Sequence, residues 1–183
     1  MKLPSSSTYA FWLALFRIYA GAFWLMHGIP KFRDSEAFMP PSGMMQSFLN
    51  TAISHTSGPY QWFLTSIVLP NASLFAELVR LGEVLTGALL FLGLFTRAGA
   101  VIGIALALNY LSAKGGLLHL SVWSNIDAAA LVLSAVNLVL PTGLVLGLDG
   151  VLARLRGKAA PAAGQPAVFV DEPPMRGPTA PTS

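Results

Sequence analysis

The chain alternates long apolar stretches with short polar breaks, and two of the apolar stretches hold a charge near the centre. Tyr9 to Ile29 carries Arg17, and Leu74 to Phe95 carries Glu83. A window of about 19 residues finds two more stretches, Arg97–Ala113 and Ser121–Leu140. Each of the four has about 17 to 22 residues, which at 1.5 Å per residue covers about 30 Å of hydrocarbon. The pattern predicts an all-α fold, a four-transmembrane-helix bundle.

The breaks have chemical causes. Gly28, Pro30 and Lys31 close the first stretch. Pro141-Thr142-Gly143 closes the fourth, because proline lacks a donor and glycine permits a cap. Leu144 to Arg156 is apolar with Asp149, Arg154 and Arg156, the pattern of a short interfacial segment. The connection from Phe32 to Ser73, between spans 1 and 2, is predicted to be helical rather than plain loop. Met44, Met45, Phe48, Leu49, Ala52 and Ile53 share one helix face. Tyr60 to Leu69 is apolar but too short to span; Pro70 ends it, and Asn71 is a plausible N-cap for the second span. Both helices are expected to lie in or dip into one interface.

Residues 158–183 hold six of the thirteen prolines, with alanine and glycine between them. They are expected to be a disordered tail, which leaves residues 1–157 as one membrane domain. The first span has no small-residue cleavage site after it and contains Arg17, so it reads as a retained helix, not a signal peptide.

Composition narrows the function classes. The 183 residues are 54% hydrophobic and 10% charged, with mean hydropathy +0.63; soluble domains carry about 25% charged residues. The net charge of +3 is spread along the chain with no basic stripe, so nucleic acid is not an expected partner. The absence of cysteine removes disulfides, thiolate catalysis, Cys-ligated zinc and iron–sulfur clusters. His27, His55 and His119 all lie away from mid-span, and no metal spacing occurs, so neither haem nor metal is indicated.

Charges inside hydrocarbon are costly unless they meet. Arg17, Gly21, Trp24, Gly28 and Lys31 form one helix stripe, and Arg80, Glu83, Gly87, Leu90 and Leu94 form another. Setting the two spans antiparallel by their midpoints offsets Arg17 from Glu83 by about 5 Å, within an arginine's reach. That predicts an Arg17–Glu83 ion pair, with a structural and a ligand-facing role equally open.

At the other end of the bundle, His27, Glu77, Arg80, Asn109, Trp123 and Asp127 come to comparable depth, with Tyr110 and Asn125. A histidine with carboxylates and aromatics could bind a quinone head and pass protons. The plainer readings are an aromatic belt for Trp123 and Tyr110, a locally bonded His27, and helix capping by Asp127 and Asn125. Gly99 and Gly103 suggest close helix packing.

Lysine and arginine counts set an expected orientation. With the N-terminus inside, Lys2, Arg97, Arg154, Arg156, Lys158 and Arg176 face the cytoplasm, and Lys31, Arg33 and Lys114 face out. Both termini are then cytoplasmic in a bacterial or archaeal plasma membrane, and the connection between spans 1 and 2 is external.

Three segments share a pattern with a known family. Arg17-Ile-Tyr-Ala-Gly21 with Gly28-Ile-Pro-Lys31-Phe32 resembles the first-helix motif of the DoxX/DoxD-like membrane family. Pro70-Asn71-Ala72, Gly82-Glu83 and Gly87 through Gly93-Leu94-Phe95-Thr96-Arg97 resemble its second helix and turn. Gly147-Leu148-Asp149-Gly150 resembles its C-terminal signature. The resemblance implies a four-helix integral membrane protein and, for some members, a subunit of thiosulfate:quinone oxidoreductase or of a terminal quinol oxidase. The first functional expectation is thus a membrane subunit of a quinone-linked oxidoreductase, oxidising thiosulfate or a related small reductant. The second is a non-catalytic membrane anchor or assembly subunit of a respiratory-type complex. Both imply the lipid bilayer and a partner subunit as contacts.

Overall fold

The computed structural model describes residues 6–115, 124–155 and 157. Those residues are all-α, with no strand among them. The order is α1 Ser6–Arg33, α2 Ser35–Phe38, α3 Met44–His55, α4 Gly58–Phe63, α5 Ala72–Leu92, α6 Thr96–Ala113, α7 Ile126–Val139 and α8 Leu148–Leu155. A π-helical turn, Leu64–Val68, and a 3-10 turn, Leu69–Asn71, join α4 to α5.

α1 runs through Pro30 to Arg33, one turn beyond the expected break. Proline removes one donor, a loss that neighbouring helices can accommodate in an apolar setting. The added turn carries Lys31 onto the same face as Gly28 and Trp24.

α1 lies along α5, α5 along α6, α6 along α7, and α7 returns to α1. Glycines fix the register of the first pair. A Cβ on Gly21 would strike the Phe91 backbone, and one on Gly87 would meet Leu25 at 2.7 Å. Such close approach is how helices attract one another where lipid offers no hydrophobic drive. The core between these helices holds Ala20, Trp24, Leu90, Ala100, Ala107 and Ala130. At one end of the molecule Gly93 caps α5 in a left-handed conformation (φ 65°), which a side chain there would strain.

The connection builds a second core. Phe38, Met45, Leu49, Leu64 and Val68 pack on Ala72, Ala76 and Val79 of α5 and on Ala113 of α6. Met45, Leu49 and Ala52 are the buried face of α3, as the spacing predicts, while Met44 points outward.

Among the described residues two helices are long and apolar enough to cross a membrane, the Thr8–Arg33 part of α1 and α6. The other two expected spans fall short of that measure. α5 has 21 residues but carries Glu77, Arg80 and Glu83, and the described part of α7 has 14. Position 123 and the proline-rich 158–183 tail lie outside the described residues.

Candidate functional site

The register of α1 and α5 decides the fate of both buried charges. With Gly21 on Phe91 and Gly28 on Val84, Arg17 sits at the C-terminal end of α5. Glu83 faces the last turn of α1, about twelve residues and about 18 Å away along the helix axis. The expected Arg17–Glu83 pair is therefore not formed. Centring spans by hydropathy misplaced them; the glycines, not the midpoints, set the register.

Arg17 is fully buried; its two terminal nitrogens are taken up by backbone carbonyls, while its buried Nε has no partner among the described residues. Its Nη1 donates to the carbonyls of Leu90 at 2.7 Å and Phe91 at 3.1 Å, and Nη2 donates to Leu146 at 3.0 Å. Two of these are among the last carbonyls of α5, at the negative end of its dipole, where Leu90 O also accepts from the capping Gly93 N–H. Asp149 completes the same end. It accepts from the backbone N–H groups of Phe95 (2.7 Å) and Thr96 (2.9 Å) and from Thr96 Oγ1 (2.8 Å). It thereby caps α6 from outside that helix, and its own N–H donates to Gly93 O at 2.8 Å. A short polar chain continues inward through Thr142 to Asn137, and Trp24 donates to Ser134. Sequence reasoning placed no site at this end, because capping carboxylates and carbonyl-bound arginines leave no spacing signature.

At the opposite end Glu83, 2% exposed, meets Lys31 and Tyr110. Lys31 Nζ lies 2.7 Å from Glu83 Oε1 and 2.6 Å from Oε2, and donates to Tyr110 Oη at 3.2 Å. Tyr110 in turn donates to Glu83 Oε1 at 2.6 Å. The ammonium also stands 5.2 Å from the centre of the Phe38 ring, a cation–π contact. This closed triad is electrically neutral and can hydrogen-bond or exchange a proton with a polar group beside it.

The remaining expected site residues separate into three places. His27 and Asp127 line a cavity of about 200 Å³ together with Lys31, Glu83, Tyr110 and Lys114. His27 is turned to its own helix, Nδ1 lying 2.8 Å from Phe23 O, and Asp127 is ion-paired with Lys114. Glu77 and Arg80 form an ion pair elsewhere. There Arg80 donates to Ser35 Oγ at 2.9 Å and stacks over Phe32 at 4.5 Å. Asn109 accepts from Tyr60 Oη at 2.9 Å in the wall of a larger, apolar cavity of about 400 Å³. Trp123 is outside the described residues.

Lys31 and Tyr110 are the site residues that sequence reasoning underrated. Lys31 was present in the α1 stripe at the same spacing as Arg17 and Trp24, and that periodicity was the available signal. Tyr60 is half-buried, and desolvation pushes its hydroxyl up to about 12. Among the described residues no group of three or more His, Asp or Glu is arranged to hold a metal ion.

No curated protein and no solved structure matches the chain. The family model described as DoxX matches residues 12–113. The match takes in the Arg17, Glu83 and Tyr110 positions and stops short of the Asp149 cap. It covers more than half of the sequence, so this chain belongs to the DoxX family and is an integral membrane protein.

Proposed function

We propose that this chain serves as a non-catalytic membrane anchor and assembly subunit of a respiratory-type complex. The observation that carries the reading is the use made of Arg17. The most deeply buried charge in the described chain is spent on three carbonyls that tie α1, α5 and the turn before α8 together. A guanidinium whose terminal nitrogens are committed to backbone on two segments builds a rigid frame for a partner. Affinity purification from native membranes should recover a partner subunit in fixed ratio. Recovery of the chain alone, with quinone-linked turnover of its own, would sink the reading.

A second reading is a membrane subunit of a quinone-linked oxidoreductase acting on thiosulfate or a related small reductant. It is favoured by the Lys31–Glu83–Tyr110 triad standing beside an apolar cavity, which suits a ring with polar oxygens and a greasy substituent. In this reading the quinone head would meet Tyr110 and Glu83, with His27 and Asp127 nearby, and Glu77 and Arg80 would stand apart. Tyr110→Phe and His27→Ala should then lower turnover of an assembled complex, and Glu77→Gln should not. Normal turnover in both cavity variants removes the reading.

Both readings take α1, α5, α6 and α7 as four membrane crossings with cytoplasmic termini. The triad and the connection then lie toward the outer face, by the excess of lysine and arginine at the α8 end. A reporter fused after Arg97 should be active only in the cytoplasm. Periplasmic activity would reverse the orientation.

A further inference from the structure

The 400 Å³ cavity is lined by the connection, α5 and α6. Along α6 it is lined from Val101 to Ala113, twelve residues apart, or about 18 Å of helix. Its far end is buried under the connection, by Met45 and Leu49 of α3 and by Leu64 and Val68 of the π-helical turn. A π turn widens the helix locally and is frequent at functional sites; here it presents Leu64 and Val68 to the cavity. The cavity opens sideways along the seam between α5 and α6, past Leu78 near the connection and past Val101 nearer the other end, 54% and 53% exposed, with exposed Ala105 between them. Gly82 lies in that mouth, where the nearest neighbour of an added Cβ is Leu106 Cδ1 at 3.2 Å. In an integral membrane protein, a mouth on the apolar flank of a spanning helix opens to acyl chains rather than to water.

The cavity shares Met45, Phe48, Val79 and Tyr110 as walls with the 200 Å³ polar cavity. Tyr110 is thus a partition. Its ring faces the apolar chamber, and its hydroxyl is held by Glu83 and Lys31. Beyond it the charges already balance, Lys31 against Glu83 and Lys114 against Asp127, so a charged head group would enter without a counter-charge.

We propose that these two cavities form one binding site for an uncharged, single-tailed amphiphile drawn sideways from the bilayer. The tail fills the chamber beneath the connection, and a hydroxyl head donates to the remaining lone pair of Tyr110 Oη, whose own hydrogen is given to Glu83. The site overlaps the one the quinone reading uses at Tyr110, but it requires no redox step and does not depend on that reading.

The test uses the full chain in lipid nanodiscs with a diazirine-bearing hexadecanol, its hydrocarbon analogue and its carboxylic acid analogue. Hexadecanol should crosslink to Phe63, Leu64 or Leu106, more strongly than the acid does. Ala105→Trp or Val101→Trp, both on the exposed mouth and so tolerated by the fold, should cut that labelling at least about fivefold by blocking entry. Tyr110→Phe should bring hexadecanol labelling down to the level of the hydrocarbon. Labelling confined to outward residues such as Leu81 and Leu85, or unchanged by both mouth variants, overturns the site. Acid labelling above that of the alcohol overturns the uncharged head. A short-chain quinone that fails to compete while hexadecanol still labels removes the quinone reading and leaves the site intact.

Discussion

Arg17 reaches only backbone carbonyls, whereas Glu83 reaches only side chains. Both are all but fully buried, on helices that touch along their length. Carbonyls cannot be repositioned without unwinding a helix, so the Arg17 end is fixed once the fold forms. Lysine and tyrosine side chains have rotamers to spend, and Lys31 is 20% exposed beside a cavity. A buried charge alone therefore does not mark a site. What distinguishes the two is the kind of partner and the space beside it.

The largest expected effect is at the fixed end. Arg17→Ala removes the guanidinium donors from three carbonyls in an apolar interior and leaves a cavity, which should cost about 3–5 kcal/mol in mixed-micelle SDS unfolding. Arg17→Lys should recover little, because one ammonium cannot fork to carbonyls on two segments. A loss under about 1 kcal/mol would mean that water reaches this end.

Glu83→Leu should cost less, about 2–3 kcal/mol, since the freed Lys31 ammonium can turn toward solvent. Double-mutant cycles sharpen the contrast. Lys31→Met with Glu83→Leu should show coupling of about 0.5–3 kcal/mol, while changes at Arg17 and Glu83 should add within about 0.5 kcal/mol. Strong coupling between Arg17 and Glu83 would restore the pair that the register denies.

Much of this was legible in the sequence, and the failures have one source. The hydrophobic stretches gave the helices, the stripes gave their buried faces, and Arg17 and Glu83 were correctly expected to be internal. Their partners were not legible, because hydropathy locates a helix in depth only to a turn or two, while steric contact at Gly21, Gly28 and Gly87 sets the register. The polar end divided into separate places for a similar reason. Glu77, Arg80 and Asn109 lie at comparable depth to Glu83 but point to other faces, and depth carries no azimuth. Asp149 was found only as part of a motif; its work, capping a helix 53 residues away, is a tertiary fact.

A smaller effect is expected at that cap. Asp149→Ala removes the acceptor for Phe95 N, Thr96 N and Thr96 Oγ1, and loss of such a cap costs about 1–2 kcal/mol. Hydrogen exchange should speed up first at the N-terminal turn of α6, while the Lys31–Glu83 end stays protected. Uniform loss of protection along α6 would mean that the two ends are not independent.

The smallest effect belongs to Tyr60, in the roof over the apolar chamber. Tyr60→Phe deletes the bond to Asn109 and should cost only about 0.5–1.5 kcal/mol at neutral pH. Its signature is in the pH dependence. Burial raises the Tyr60 hydroxyl to about 12 in the folded chain, against about 10 when unfolded. Between those values the folded state keeps a proton that the unfolded state has lost. The stabilisation is thus fully present below pH about 10 and is lost as pH rises toward about 12. Other tyrosines and the lysines titrate in this range too, so the measurement is the difference between wild type and Tyr60→Phe. Wild type should lose more stability between pH 10 and 12 than the variant, which narrows the gap between them. A gap constant with pH would mean that the Tyr60 hydroxyl is solvated, and that the chamber roof is open to water rather than sealed by the connection.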